Sequence, residues 1–465
     1  MKNGRFFSVP QRNVFGFFRL YRIQKTHQTM IKKISFYKPI FYGIFLIPFF
    51  VFSCTSTRVP SGASVDIPED FFGMCHAGSP QSPREYELMD EMGISWTLRT
   101  FAWGSIEREK GVFNFSSFDP WVDSTKRHGK KIIVTLGYEA PWLFPDGKTK
   151  RYISSENIPH FLRYVEEIVK HYQGRVDVWK VWNEPNHPRF WKGSNKEFYE
   201  LSKQTAKKIR EVDPDAYIIG VTVTRVPKRF TKKMHKAGGM ENLDGIEFHP
   251  YAMHPEGVMR LHDKFLRTRS DINFTGPVWI TEIGFPTGGR FPTKVSLEGL
   301  PSHVVKVMTG AAARSGNTRA MLWYQLFDRY NKNEVPQKTM KDSEAFFGLV
   351  YRNFERKNGA HAYQLCANLL PGSRYVPELL QRENIPSSIV SFCFQGGKSG
   401  NHTLVLWNDR KRSKKANLYL ESPAFLYDIT TGEKSPLPAV SSLDIGKQPL
   451  IITWQGTERP RLSIK

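Results

Sequence analysis

The chain has 465 residues, of which 40% are hydrophobic and 24% are charged, and this composition excludes a disordered or fibrous protein. Its length is too great for one small domain and allows a barrel of about 250–350 residues with a smaller domain beside it. The net charge of +23 would suit a nucleic-acid partner, but nine basic residues and no acidic residue precede Cys54, and the remaining +14 is dispersed. The charge therefore indicates no nucleic-acid partner.

Residues 1–54 are predicted to be an export leader, with Met30 as the expected start. An apolar stretch follows a group of lysines there, and it is too short and too often broken by proline for a membrane-spanning helix. It ends in Val-Phe-Ser before Cys54, which resembles the lipobox of bacterial lipoproteins except at Phe52. The resemblance implies that Cys54 is lipidated and anchors the protein to a membrane, on its periplasmic or cell-surface side. An uncleaved anchor and a secreted form stay open.

After a linker at 55–66, eight β-rich runs alternate with helical stretches. This rhythm is typical of βα units around a parallel sheet. The predicted strands are 71–76, 96–103, 131–137, 176–182, 216–222, 245–249, 278–283 and 320–326. The predicted helices include 158–172, 195–212 and 303–315. Eight such units predict an α/β fold, a (β/α)8 TIM barrel over residues 67–372.

From about residue 375 the pattern changes to short strands separated by Gly, Ser, Pro and Asn. Strands at 391–394, 403–407, 416–420 and 450–454 predict a small C-terminal β-sandwich over residues 373–465. The basic cluster at 409–415 is interpreted as a solvated hairpin turn between two of them.

Three further cysteines, Cys75, Cys366 and Cys393, are widely spaced and form no CxxC pattern. We therefore predict no metal site and at most one disulfide. The sequence also has no nucleotide-binding motif, so we expect a protein without a cofactor. Nothing in it indicates an oligomeric state.

Two predicted strands carry a glutamate near the end, Glu184 on the fourth and Glu282 on the seventh. Barrel active sites lie at the carboxyl ends of the strands, so these two side chains are expected to face each other across a pocket. Hydrolysis of a glycosidic bond uses such a pair, with the carboxyl groups about 5–5.5 Å apart in retaining enzymes. Asn183 precedes Glu184, and its amide is placed to bond the sugar 2-hydroxyl.

The motifs Asn183-Glu184-Pro185 and Thr281-Glu282-Ile283-Gly284 resemble those of glycoside hydrolase clan A, with family 39, the β-xylosidase and iduronidase family, as the best fit. Residues 98–100, 103–107 and 110–115 resemble the second strand of that clan and the loop after it, so the resemblance covers about residues 67–370. It implies a carbohydrate substrate of β-configuration or its steric equivalent. It also implies net retention by double displacement, with Glu184 as acid/base and Glu282 as nucleophile.

The same resemblance implies roles for four more residues. Arg99 matches an arginine that bonds the nucleophile, and Tyr251 matches a tyrosine that contacts it. His249 matches a histidine that lines the sugar site, and Trp323 matches a tryptophan that forms a platform under the sugar.

Other functions stay open from the sequence alone. A surface-anchored lipoprotein could keep the barrel for binding glycans without catalysis, or the β-sandwich could be the working part. Within the same pocket, inversion and transfer to another sugar are alternatives to retaining hydrolysis. The identity of the sugar and the choice between exo- and endo-action are not determined.

Overall fold

The computed structural model describes residues 64–464 except 145, 146, 148, 291, 293, 398, 399 and 411. The leader and Cys54 lie outside the described residues. The described residues belong to one compact unit. None of their helices combines the length and the apolar composition needed to cross a bilayer. Cys75, Cys366 and Cys393 are free and buried.

Eight parallel strands close into a barrel and follow one another around it in chain order. The first strand of the chain, β1 (Val65–Asp66), lies outside the barrel. The barrel strands are β2 (Phe72–Cys75), β3 (Trp96–Ala102), β4 (Lys131–Gly137), β5 (Val178–Val181), β6 (Ile218–Thr224), β7 (Gly245–His249), β8 (Val278–Ile283) and β9 (Thr318–Trp323). They are nearly continuous apolar runs because each is covered on both faces. The predicted barrel is confirmed, and every strand overlaps its predicted range.

Nine described α-helices accompany these strands. They are α1 (Pro83–Glu91), α2 (Trp103–Ile106), α3 (Asp119–Arg127), α4 (Ile158–Tyr172), α5 (Asn195–Val212), α6 (Lys228–Lys236), α7 (Pro255–Asp271), α8 (Leu300–Ala312) and α9 (Asn358–Leu369). Two of them, α4 and α5, have the predicted bounds, and α5 starts at a capping box in which Ser194 and Glu197 bond each other's backbone N–H. Helix α8 begins three residues before its predicted start because a proline is tolerated in the first turn.

The inside of the barrel has an apolar lower part and a polar upper part. Trp96, Ile133, Val178, Trp279 and Leu322 belong to the apolar cluster. Side chains alternate along a strand, so the residues two positions further on face the same way. On β5 and β8 those residues are Lys180 and Thr281, both fully buried. The polar layer lies at the carboxyl ends of the strands, where the glutamates were predicted.

The C-terminal part forms two antiparallel-rich sheets. Its strands are β10 (Ser373–Tyr375), β11 (Gln381–Glu383), β12 (Ile389–Gly396), β13 (His402–Asn408), β14 (Lys414–Tyr419), β15 (Ala424–Tyr427), β16 (Lys434–Leu437), β17 (Val440–Ile445), β18 (Leu450–Trp454) and β19 (Arg461–Ser463). The seven-stranded sheet has the order β1-β10-β12-β13-β18-β15-β16, and the four-stranded sheet has the order β11-β19-β14-β17. The predicted β-sandwich is confirmed.

One prediction about this part is wrong. The basic segment 409–415 does not turn a hairpin, because β13 ends before it and β14, which begins at Lys414 within it, belongs to the other sheet. It crosses from one layer of the sandwich to the other.

The seven-stranded sheet packs on both of its faces. On one face, Ile389 and Cys393 belong to the core between the two sheets. On the other, Phe392, Phe394 and Trp407 belong to the same apolar core as the outside of the barrel. Strand β1, which falls within the predicted linker, pairs with β10 and joins this sheet. The barrel and the sandwich are therefore held together by a continuous core.

Candidate active site

Glu184 reaches the mouth of the barrel through an unusual backbone path. Strand β5 ends at Val181, and Trp182 and Glu184 then adopt left-handed φ angles of 64° and 42°. Residues with a Cβ rarely adopt this conformation, and where they do it is often at a functional site. The turn sends Trp182 into the apolar core, with its ring edge-on to Trp191, and leaves the Glu184 side chain 12% exposed.

Glu282 lies near the end of β8, where the pairing with β9 loses its regular register between Ile280 and Ile283. Irregularities of this kind re-aim side chains beside active sites. The Glu282 side chain is 24% exposed. Its Oε1 accepts a 2.7 Å hydrogen bond from the Tyr251 hydroxyl, the contact that was predicted for Tyr251.

His249 lies between the two glutamates. Its Nδ1 is 2.8 Å from Glu184 Oε1 and 3.8 Å from Glu282 Oε2. The side chain is fully buried, so His249 contacts the carboxyl groups and does not line the sugar site as predicted. One oxygen of each glutamate and one nitrogen of His249 all lie within 4.8 Å of one another. This spacing suits a retaining pair, because inverting enzymes hold their carboxyl groups about 6.5–9.5 Å apart to admit a water molecule.

The same three side chains have the spacing of a metal site. Their ligating atoms, however, already have protein partners: His249 is bonded to Glu184, and Tyr251 is bonded to Glu282. The arrangement therefore supports proton transfer and nucleophilic attack by the side chains themselves.

Burial dominates the acid–base properties of the pair. It raises the pKa of Glu184, and the nearby His187 and Lys180 oppose this only in part. It also raises the pKa of Glu282, against the influence of His249 and the hydrogen bond from Tyr251. Burial lowers the pKa of His249 to about 4, so the imidazole is neutral at pH 7. Two carboxyl groups this close titrate as a coupled pair, in which the first negative charge disfavours the second.

An ion pair beneath the glutamates was missed by the sequence analysis. Lys180 Nζ lies 3.3 Å from Glu247 Oε2, and both side chains are almost completely buried. Lys180 also approaches Asn183 Oδ1 at 3.4 Å and Thr281 Oγ1 at 3.2 Å. The signal was a charged residue in the middle of each of two apolar strands, because lysine and glutamate are almost never fully buried unless they are paired.

Arg99 does not contact Glu282, contrary to prediction. Its guanidinium donates a 2.8 Å hydrogen bond to the Gly78 carbonyl and lies over the ring of Trp121. Glu85 accepts from the Gly78 N–H at 2.7 Å. Arg99 therefore holds the loop after β2, and the described partners of Glu282 are Tyr251 and His249.

Trp323 is fully buried in the apolar core, so it cannot form the predicted platform. The next residue, Tyr324, belongs to the cluster inside the barrel. Its ring meets His76 and Phe347 edge-on at 5.6 and 5.3 Å, and its hydroxyl donates to Glu344 at 3.0 Å. His76 follows β2, has an exposed side chain and was also missed. Phe347 also meets the ring of Tyr251, the partner of Glu282, at 6.2 Å, so this aromatic group lies on the Glu282 side of the barrel.

Known proteins share this barrel. The model of glycosyl hydrolases family 39 matches residues 87–259. This part of the chain, from α1 to α7 of the barrel, is therefore similar to family 39 glycosyl hydrolases. The family 39 glycoside hydrolase from Bacteroides cellulosilyticus WH2 superposes with a TM-score of 0.69 at 20% identity, over 84% of this chain and 81% of that one. The likeness confirms the predicted fold.

Curated relatives resemble shorter segments. The phospho-cellobiase of Klebsiella oxytoca is 29% identical over 146 residues, which are 29% of this chain and 29% of that protein. The endo-1,4-beta-xylanase A of Humicola insolens is 27% identical over 170 residues, which are 33% of this chain and 43% of that protein. The chain thus spans less than half the length of these relatives.

The family 39 match includes part of the site and stops before the rest. Glu184, His249 and Tyr251 fall within residues 87–259, whereas Glu282 and Tyr324 lie beyond them. Glu282 and Tyr324 are instead connected to the site by their contacts with Tyr251 and Phe347.

Proposed function

We propose that this protein is a retaining glycoside hydrolase that cleaves a β-linked oligo- or polysaccharide by double displacement. The observation that carries the proposal is the carboxyl pair of Glu184 and Glu282, whose oxygens approach within 4.8 Å at the carboxyl end of a family 39 barrel. Such a pair supplies both an acid and a nucleophile to one glycosidic bond.

In the first step Glu282 attacks the anomeric carbon while Glu184 gives its proton to the leaving oxygen. The carbon–oxygen bond to the leaving group breaks, and a glycosyl ester forms on Glu282. In the second step a water attacks the anomeric carbon and gives a proton to Glu184, while the bond from that carbon to the Glu282 carboxylate breaks, so both side chains are ready for another cycle. The bond from Tyr251 favours the Glu282 anion, because its hydroxyl donates to the charged carboxylate.

Asn183 has a preferred orientation that suits it for holding the sugar. The Lys180 ammonium can only donate, so the Asn183 side chain must turn its oxygen towards it. The amide NH2 then points to the other side, where one hydrogen is directed at the Tyr138 hydroxyl and the second can be donated to a sugar hydroxyl beside Glu184. This supports the role that was expected for Asn183 at the 2-hydroxyl.

The names of the relatives include a phospho-cellobiase and an endo-1,4-beta-xylanase. Both names refer to β-linked sugars, and we propose a substrate of that class for this chain.

The test is turnover of aryl β-glycosides and β-linked polysaccharides by the purified protein, with the product anomer followed by NMR from the first turnovers. We expect a β-glycoside to give the β-hemiacetal first. An α-product at early times would show that the enzyme inverts the anomeric configuration, contrary to the proposal. Binding without turnover across the panel would favour a glycan-binding protein.

Tyr324, in place of Trp323, is proposed as the aromatic surface for the sugar. Tyr324→Leu is expected to raise KM roughly 2- to 12-fold, because loss of an aromatic contact costs about 0.5–1.5 kcal/mol. Trp323→Leu is the matched control, since it removes a buried ring and should instead lower the free energy of unfolding by about 3 kcal/mol. Initial rates and thermal unfolding of both variants check this. A larger rise in KM for the Trp323 variant would show that Trp323, and not Tyr324, forms the platform under the sugar.

We also propose that Cys54 carries a lipid anchor, on the strength of the lipobox-like segment before it. Cys54→Ala is expected to abolish incorporation of labelled fatty acid and to release the protein from the membrane fraction. Ser56→Ala is the matched control and should remain labelled. Labelling of the Cys54 variant, or a soluble unlabelled wild type, would count against the anchor.

A further inference from the structure

A closed polar cluster lies directly beneath the two glutamates. It consists of the side chains of five residues, each residue no more than 1% exposed: Lys180, Thr222, Glu247, His249 and Thr281. In so dry a place every polar hydrogen needs an acceptor among these groups. The donors and acceptors can therefore be assigned from the contacts between them.

The assignment depends on the hydroxyl of Thr281, which has one hydrogen to donate and two lone pairs to accept with. It donates to Glu247, a carboxylate that can only accept and that also accepts from Thr222. Its two lone pairs then face Lys180 Nζ at 3.2 Å and His249 Nε2 at 3.1 Å. Lysine can only donate, so Lys180 supplies the donor for one lone pair. His249 supplies the donor for the other if its Nε2 carries a hydrogen.

The hydrogens of Lys180 agree with this arrangement. An ammonium has three of them, and three acceptors surround Nζ: Glu247 Oε2 at 3.3 Å, Thr281 Oγ1 at 3.2 Å and Asn183 Oδ1 at 3.4 Å. Lys180 therefore does not need His249 Nε2 as an acceptor, although that nitrogen is also 3.4 Å away.

A hydrogen on Nε2 of the neutral imidazole leaves Nδ1 with a lone pair. That lone pair faces Glu184 Oε1 at 2.8 Å, a distance that requires a hydrogen between the two atoms. Glu184 must then supply it as a protonated carboxylic acid. Burial acts in the same direction, since it raises the pKa of Glu184 and lowers that of His249.

We propose that Thr281, oriented by Glu247, fixes His249 as the Nε2–H tautomer and thereby keeps the acid proton on Glu184 in the free enzyme. Thr281 is on this view a positioning residue that acts through His249. The proposal rests on the function proposed above, in which Glu184 is the general acid. It also suits the second step: Nδ1 offers no hydrogen to the Glu184 anion, so that anion stays basic enough to take a proton from water.

Other ionisable groups also face this pair. Around Glu184 they come from the loop after β4, from β5 and the loop that follows it, and from β7 and β8: Tyr138, Lys180, His187, Arg189, His249 and Glu282. Around His249 they are Lys180, Glu184, Glu247 and Glu282. A change at Thr281 leaves all of them in place. A change at Lys180 or Glu247 would instead leave a buried charge without its partner and threaten the fold.

The test compares Thr281→Val, which has the same shape without the hydroxyl, with Thr281→Ser, which keeps it. Without the hydroxyl, Lys180 becomes the donor to Nε2, the hydrogen moves to Nδ1, and Nδ1–H stabilises the Glu184 anion. The pKa of Glu184 then falls. Because Glu184 must be protonated to act, the basic limb of kcat/KM against pH should move to lower pH by about one unit or more. The serine variant should keep the wild-type limb.

Nitrogen-15 NMR of the histidine rings determines the tautomer and does not require the protein to turn over a substrate. The signal of His249 is the one that is absent from the spectrum of His249→Gln. We expect a protonated Nε2 in the wild type and in Thr281→Ser, and a protonated Nδ1 in Thr281→Val. A wild type with Nδ1–H, or folded variants that all share one tautomer and one basic limb, would overturn the proposal. A wild type that turns over no glycoside would instead remove the proposed function, and the NMR result would still decide the tautomer.

Discussion

Replacing Glu282 with alanine is expected to lower kcat by about 10⁴- to 10⁶-fold, the range found when a group that acts as part of a catalytic unit is removed. The reason is that Glu282 forms the covalent bond to the sugar, and no other described carboxylate shares its position beside Glu184. The measurement is turnover of an aryl β-glycoside. Glu298→Ala, at an exposed position, serves as the control and should keep wild-type activity.

Azide distinguishes a lost nucleophile from a damaged site. In Glu282→Ala the space left by the side chain should admit azide, which attacks the anomeric carbon directly and gives an α-glycosyl azide from a β-glycoside. Tyr251 and His249 should remain in place, so the variant should unfold at a temperature close to that of the wild type. Full activity in a folded Glu282→Ala variant would contradict the assignment.

Replacing Glu184 with alanine is expected to reduce the rate by about 10²- to 10⁴-fold for substrates whose leaving group needs a proton. An aryl leaving group that departs as a stable anion needs little protonation, so its release from the sugar should be affected far less. The basic limb of the pH profile should also disappear, because that limb reflects the loss of the Glu184 proton as the pH rises through its raised pKa. In the wild type, activity at pH values below the Glu184 pKa depends on the protonated carboxyl group.

The measurement is kcat/KM for a pair of glycosides with good and poor leaving groups, with and without azide. Azide should now attack the glycosyl ester on Glu282 and give a β-glycosyl azide, the opposite anomer from that expected with Glu282→Ala. Equal losses for the two leaving groups, with the basic limb preserved, would show that Glu184 is not the acid.

Much of this site was predictable because it depends on strand order and strand ends. The apolar runs around Glu184 and Glu282 are strongly patterned, and parallel strands bring their carboxyl ends to one face. Tyr251 was also found, two residues beyond the end of β7. Two of the wrong assignments, Arg99 and Trp323, lie on strands where a shift of one position exchanges the inside of the barrel for the outside. Sequence similarity could not determine which of two neighbouring residues on a strand faces the inside of the barrel.

The sequence by itself determined the eight βα units, the two strand-end glutamates and the β-rich C-terminal part, since local periodicity and composition specify such elements. Only the tertiary structure decided that Tyr324 belongs to the cluster inside the barrel and Trp323 to the core outside it, and that segment 409–415 crosses between sheets. It also decided that Lys180 on β5 meets Glu247 on β7 and Thr281 on β8 beneath the glutamates. These contacts join residues far apart in the chain, and their hydrogen bonds depend on distances of a few tenths of an ångström that closure of the barrel sets.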